Sequence, residues 1–205
     1  MPLYAKALDC ARAAHLGGLS FFQGLGLRWM TWRHRSGGAP PAGLAVARLE
    51  EEDMEEAAAF LERHQPGVGL RRRYAPERLA AYVNWNEDGL RGAGWTVRRN
   101  GRLAGVVYGY ANPVGGGDAY FAVDGAVFAP ELDPAAVAAA LSAVEAAARD
   151  RLGCFAVMAP ASACRAPLGR MGYLPVRTYR VGAMDFGSPV PVNPAAVAGL
   201  LLELR

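Results

Sequence analysis

Asp124 is the residue whose position first calls for a chemical explanation. It lies inside Ala119 to Phe128, a run otherwise apolar and aromatic enough for a central strand, where a carboxylate is costly unless it is paired or used. Used, it is a candidate general base for an attacking nucleophile. The alternative is that Asp124-Gly125 marks a β-bulge or an aspartate turned to solvent. Glu131 stands at the corner between this run and the next helical stretch, and reads either as a second proton acceptor or as a solvated side chain. Cys164 invites a nucleophile reading and Cys154 a metal reading, but His15, His34 and His64 all lie far upstream, and packing is the commoner fate of such thiols. With Cys10 the cysteines number three, without the paired spacing of a zinc site or the density of a disulfide scaffold. No metal is expected, and a reducing, cytoplasmic compartment is.

Two arginine clusters, Arg71 to Arg73 and the trio Arg98, Arg99 and Arg102, could meet phosphates or an acidic partner; a solvated face is the alternative. Net charge is only +3, from 22 basic and 19 acidic residues, with Lys6 the sole lysine. Nothing matches a nucleic-acid recognition motif, so no nucleic-acid partner is expected. With 52% hydrophobic and 20% charged residues among 205, the chain fits one globular domain plus an appendage. No apolar run reaches membrane length, and Asp9, His15 and Gln23 interrupt the apolar stretches of the first 30 residues. No membrane partner is expected.

The elements that must position these groups can be read in order. Residues 1–36 read as an appendage, with a helix from Leu3 to about Leu16, a glycine-broken apolar stretch and the cluster Arg28 to Arg35. Its two tryptophans beside arginines suit a protein interface or a membrane surface. Residues 37–43, rich in Gly and Pro, read as a linker. Leu44 to Leu49 alternates as a short strand, Glu50 to His64 has helical spacing, and a second helix starts near Ala75-Pro76-Glu77 with Leu79, Tyr82 and Val83 inward. Asn100-Gly101 is the dipeptide of a two-residue hairpin turn joining Trp95–Arg99 to Arg102–Tyr110. A loop, Asn112 to Asp118, leads into the strand that carries Asp124. Asp133-Pro134 starts a long helix running to Arg151, with the aspartate as cap and proline in the first turn. Cys154 to Met158 reads as a buried strand, Ser162 to Met171 as a short helix, and Leu174 to Tyr179 with Arg180 to Phe186 as a terminal strand pair. Residues 188–205 form a tail with a short helix. The fold class is α/β, a mixed, mostly antiparallel sheet of six to seven strands flanked by helices.

This order, with the hairpin before the central strand, resembles the GNAT superfamily of N-acetyltransferases over residues 44–187. Arg165 to Tyr173 looks like that family's fourth helix with its Leu-Gly-Phe ending, written here Met171-Gly172-Tyr173. Phe21 to Arg28 faintly resembles the same ending and reads either as the remnant of a first repeat or as a segment that packs on the domain or a second subunit. The resemblance implies acyl transfer from acetyl-CoA or another acyl-CoA to a small-molecule or protein amine, with a homodimer open. It also implies that Val127, Phe128 and Ala129 on strand four, and Ala135, Ala136, Val137 and Ala138 at the next helix start, hold the cofactor. Helix amides and the macrodipole suit an anion.

The chain departs from the family pattern at three functional positions, Asp133, Ala136 and Leu168. Arg or Gln, Gly, and Gly or Ala at the diphosphate become Asp133, Ala136 and Ala138; only the last conforms. Asp133 therefore reads first as a helix cap. The tyrosine acid expected four residues before the glycine is Leu168, for which Tyr173 is the nearby substitute. Catalytic candidates are thus Asp124, Glu131 and Tyr173. The alternative function is a non-catalytic binding or scaffolding module that has lost CoA binding.

Overall fold

The computed structural model describes residues 2–18, 20–34, 40–64, 74–160 and 168–178. In chain order these form β1 (Pro2–Ala7), α1 (Cys10–Leu16), α2 (Phe21–Arg33), β2 (Leu44–Arg48), α3 (Met54–His64, entered through a short 3-10 turn), α4 (Pro76–Val83), β3 (Asn86–Glu87), β4 (Leu90–Arg99), β5 (Arg102–Gly115), β6 (Asp118–Phe128), α5 (Pro134–Leu152), β7 (Cys154–Pro160) and β8 (Leu174–Thr178). The eight strands make one sheet of order β2-β4-β5-β6-β7-β1-β8, with the two-residue β3 pairing on β4. All pairs are antiparallel except β6 with β7.

Local chemistry explains the best-defined corners. Asn100 and Gly101 both have positive φ, 51° and 79°, as the two-residue turn requires. Asp133 caps α5 by accepting from the Ala136 amide at 2.8 Å, with Pro134 following in the first turn. The expected loop from Asn112 to Asp118 is shorter than the spacing suggested: β5 runs on to Gly115 and turns back at Gly116-Gly117 into β6.

Two cores sandwich the sheet. Val107, Ala111, Phe121, Val123, Val97 and Trp95 pack with the inner face of α5. Val106, Tyr108 and Val127 pack with α3 and α4 on the other face. The alternation of Val106 and Tyr108 against Val107 is the period of two expected of a strand buried on both sides. Burying each such large side chain contributes roughly 1.5–3 kcal/mol.

The amino-terminal segment differs from expectation. Leu3 to Ala7 is not the start of a helix but strand β1, and it is interior: it pairs with β7 from Leu3↔Pro160 to Ala7↔Ala156 and with β8 from Pro2↔Thr178 to Ala5↔Leu174. The helix begins only at Cys10, where the Asp9 carboxylate accepts from the Ala11 and Arg12 amides. Residues 2–7 are therefore part of the main sheet rather than of an appendage, and the sheet has eight strands, not six or seven. The reason is partly electrostatic. Lys6, 5% exposed, meets Glu145 of α5, 1% exposed, at 2.6 Å, and the Tyr173 hydroxyl donates to the other carboxylate oxygen at 2.7 Å. The Lys6 ammonium also lies 5.7 Å from the Tyr173 ring centroid. The second half of the terminal strand pair, the carboxy-terminal helix, the 162–167 part of the short helix, and the Arg71 to Arg73 cluster lie outside the described residues.

Removing one partner of a dry ion pair strands the other. Lys6→Ala should cost roughly 3–5 kcal/mol in denaturant unfolding, whereas Lys6→Met combined with Glu145→Leu and Tyr173→Phe, which removes all three members of the cluster together, should recover most of that loss.

Candidate active site

Asp124 is an extra residue in β6. Tyr108 of β5 faces Gly125 and Gly109 faces Val123, so nothing on β5 stands opposite Asp124. The bulge shows in the packing as well. Phe121 and Val123, then Ala126 and Phe128, share the α5 side of the sheet, so the alternation changes parity across residue 124. One inserted residue produces that shift and bends the strand. Gly125 is required there, because a Cβ would lie 2.4 Å from the Tyr108 ring.

The Asp124 side chain is fully buried and accepts a hydrogen bond from the Tyr82 hydroxyl of α4. Burial first, then the charge and hydrogen bond of Asp124, push the Tyr82 hydroxyl far above the ordinary phenol range. Tyr82 thus stays protonated and donates. It is only partly buried, and so stands between the carboxylate and the outside. Around it Tyr108 packs edge-on at 5.6 Å, and Tyr108 shares a 2.9 Å hydroxyl contact with Tyr74. Tyr82 was expected only as a buried face residue of its helix; Asp124 forty-two positions later gives it its second role.

The strand that carries Asp124 parts from its neighbour at the same point. β6 and β7 pair from Ala119↔Cys154 to Ala122↔Met158, and Val123 to Phe128 have no partner on β7. β7 instead continues along β1, with Tyr4↔Ala159 and Leu3↔Pro160. A wedge opens between two parallel strands, with the bulge at its apex. Val127, Phe128 and Ala129 lie along the β6 side and are buried; the Ala129 amide is spent on the Ala104 carbonyl at 2.9 Å.

At the wide end of the wedge stands the start of α5. Two of its amides are engaged by Asp133, that of Ala136 on the side chain and that of Val137, at 3.0 Å, on the carbonyl as the first helical bond. Ala136 and Val137 are buried, Ala135 exposed, Ala138 intermediate. Arg99 at the hairpin donates to Asp133 at 3.0 Å. The Ala136 hydrogen bond and then Arg99 hold the Asp133 carboxyl below its usual range. Arg98 is likewise occupied, at 3.0 Å from Asp53 and paired with Glu56. Of the second arginine cluster, two members therefore serve internal ion pairs.

The three catalytic candidates are not brought together. Asp124 faces α4. Tyr173 packs on the α5 side of the sheet, 3% exposed, with its hydroxyl given to Glu145. Glu131 is exposed on the turn before α5. Leu168, at the tyrosine position of the family pattern, is buried. Burial pushes the Cys154 thiol up to about 11, so it is no thiolate nucleophile at neutral pH. Cys164 lies outside the described residues.

No family model matches the sequence, and no curated protein does. Solved structures do. Saccharomyces cerevisiae N-myristoyltransferase with bound myristoyl-CoA superimposes with a TM-score of 0.62 at 12% identity, covering 85% of this chain and 45% of that one. A second structure of that enzyme, with myristoyl-CoA and inhibitors, gives 0.57 at 12%, over 85% and 46%. A GCN5-related N-acetyltransferase from Kribbella flavida gives 0.47 at 15%, over 85% and 53%, a similarity too loose to argue from. This chain spans about half the length of each of these three structures. The wedge between two parallel strands of a mostly antiparallel sheet, helices on both faces and the two superpositions on N-myristoyltransferase establish that the chain has the acyl-CoA N-acyltransferase fold.

Proposed function

We propose that this domain transfers an acyl group from an acyl-CoA to an amine, with acetyl-CoA the first donor to test and a small molecule or a protein as acceptor. The observation that carries the reading is the coincidence, at one point of β6, of the bulged Asp124 and the parting of β6 from β7. A thioester lying in the wedge presents its carbonyl beside unpaired strand backbone, and an amine arriving from the α4 side meets Tyr82 first. As the amine nitrogen bonds to the carbonyl carbon, its proton passes to the Tyr82 oxygen while the Tyr82 proton passes to Asp124; the C–S bond then breaks and CoA leaves as the thiolate, which takes a proton from water. A carboxylate reached through a phenol in a dry site is a competent base because its negative charge is poorly solvated before the transfer. The myristoyl-CoA bound by the yeast neighbour is the same class of donor.

A second reading has its own observation. The Asp133 side chain takes the Ala136 amide, one of those at the start of α5 that an acyl-CoA diphosphate would use, which favours a module that has kept the fold and given up the cofactor.

Calorimetric titration of the unaltered chain with CoA and acetyl-CoA separates the two. Micromolar binding, tightened by Asp133→Asn, is the expected result; a folded sample that gives no heat with either ligand at several temperatures hands the domain to the second reading. Should an acceptor be found by screening amines against acetyl-CoA, Asp124→Asn and Tyr82→Phe should each lower kcat by roughly 10²–10⁴-fold. KM for acetyl-CoA should hold within a small factor, while Tyr82→Phe, which takes a donor from the buried Asp124 carboxylate, should also lower the thermal midpoint.

A further inference from the structure

Helix α2 turns its largest side chains to solvent. Phe21, Phe22, Leu25, Trp29 and Trp32 are 79%, 81%, 54%, 55% and 64% exposed. At about 100° per residue they share one arc of roughly 100° around the helix, flanked by Arg28 on one side and Arg33 on the other. The Arg33 guanidinium lies 5.3 Å from the Trp29 ring centroid. No residue of α2 is buried, yet its start is well formed: Ser20 accepts from the Gln23 amide while the Gln23 side chain accepts from the Ser20 amide. A capped helix that buries nothing in its own core leaves its apolar arc without a partner. Two adjoining grooves of ≈ 720 and ≈ 860 Å³ run along the arc, the first bordered by Phe21 and Leu25, the second by Leu25, Trp29 and Trp32, and both by Leu8, Arg28 and Arg149.

Charge selects the occupant. From Cys10 to Leu49 the chain has no aspartate or glutamate and five arginines. Arg12 pairs with Asp118 and Arg48 with Glu50, whereas Arg28 and Arg33 form no salt bridge among the described residues. A second copy of the chain docked face to face would set these cations against each other. An acidic protein surface would satisfy the arginines and leave five large apolar groups to be covered. An anionic bilayer offers negative charge at the depth of the arginines and an apolar layer just below it, and tryptophan and phenylalanine beside arginine are what that boundary takes up.

We infer that α2 docks flat on the surface of an anionic lipid bilayer, with Phe21, Phe22, Leu25, Trp29 and Trp32 in the headgroup–acyl boundary and Arg28 and Arg33 on lipid phosphates. No described helix is long and apolar enough to cross a membrane, so the contact is peripheral. It does not depend on the acyl-transfer reading.

The test is flotation of the full chain with phosphatidylcholine vesicles, with and without phosphatidylglycerol, at low and high salt. Association with the anionic vesicles alone, weakened by salt and accompanied by a blue shift of tryptophan emission, is expected. An arginine near such a surface is worth about fivefold in affinity, so Arg28→Gln with Arg33→Gln should weaken binding about thirtyfold, and Trp29→Ser with Trp32→Ser should abolish it. Both pairs lie on exposed positions and should leave the circular dichroism melt unchanged. No association, equal association with phosphatidylcholine alone, or indifference to both pairs of changes overturns the inference. So does a homodimer in light scattering that Trp29→Ser with Trp32→Ser makes monomeric, which gives the arc to a second copy.

Discussion

One edge of β6 is bonded along its length and the other over four residues, and the candidate site follows from that asymmetry. On the β5 side the ladder runs from Gly115↔Asp118 to Gly105↔Phe128; on the β7 side it ends at Ala122↔Met158. Two parallel strands part where one of them turns away from the other. The inserted Asp124 supplies the turn. It also removes its own residue from the ladder, which frees the carboxylate to seek a partner on α4. Gly125 lets Tyr108 lie against the backbone at that point, and Tyr108 in turn walls Tyr82. The bulge, the wedge and the tyrosine cluster are thus consequences of a single extra residue.

The far half of the sheet is organised by a different constraint. β7, after leaving β6, needs a partner for its other edge, and the chain supplies one from its first residues rather than from its last described strand. An interior strand made of Leu3, Tyr4, Ala5, Lys6 and Ala7 has little side-chain volume to offer, and one of its side chains is a cation. Placing Lys6 against Glu145 and Tyr173 converts that weakness into registration: only one alignment of β1 puts the ammonium on the carboxylate. Ion pairs of this kind contribute little net stability compared with apolar replacements, but they penalise every misalignment heavily. β1 sits between β7 and β8, so the same contact fixes where β8 begins, directly after Tyr173.

What the sequence made legible was what local chemistry determines. Asn100-Gly101 admits few conformations other than its turn, Asp133-Pro134 is a helix start wherever it occurs on a surface, and Asp124-Gly125 interrupts an apolar run in a way that a bulge accommodates. β1 was illegible for the converse reason. Leu3 to Ala7 has no strong strand propensity, and even its nearest pair in sequence, Ala7↔Ala156, spans 149 positions; a reading confined to neighbours joins it to the helix that Asp9 in fact begins. Lys6 and Tyr82 escaped for the same reason, since their roles come from Glu145 and Asp124, 139 and 42 positions distant. The tyrosine acid expected of the family pattern also had a physical answer: Tyr173 lies across the sheet, where its hydroxyl completes the Glu145 pair.

The start of α5 poses the remaining question of chemistry, and it is one of competition between anions. Helix amides hold a carboxylate or a phosphate by the same means, the positive end of the macrodipole and unpaired N–H groups. Asp133 has the advantage of being covalently placed, with its conformation already fixed by Pro134. Its carboxyl is held below the usual range by Ala136 and Arg99, so near-neutral acidification does not vacate the site by protonation. A diphosphate must displace a charged group. In its favour, it brings more negative charge than one carboxylate, and the Arg99 released by Asp133 is already on the rim to receive it. Whether the exchange runs forward is a difference between two charge-assisted interactions with one set of donors, and a side chain that keeps the cap while losing its charge shifts that difference toward the ligand without disturbing the helix.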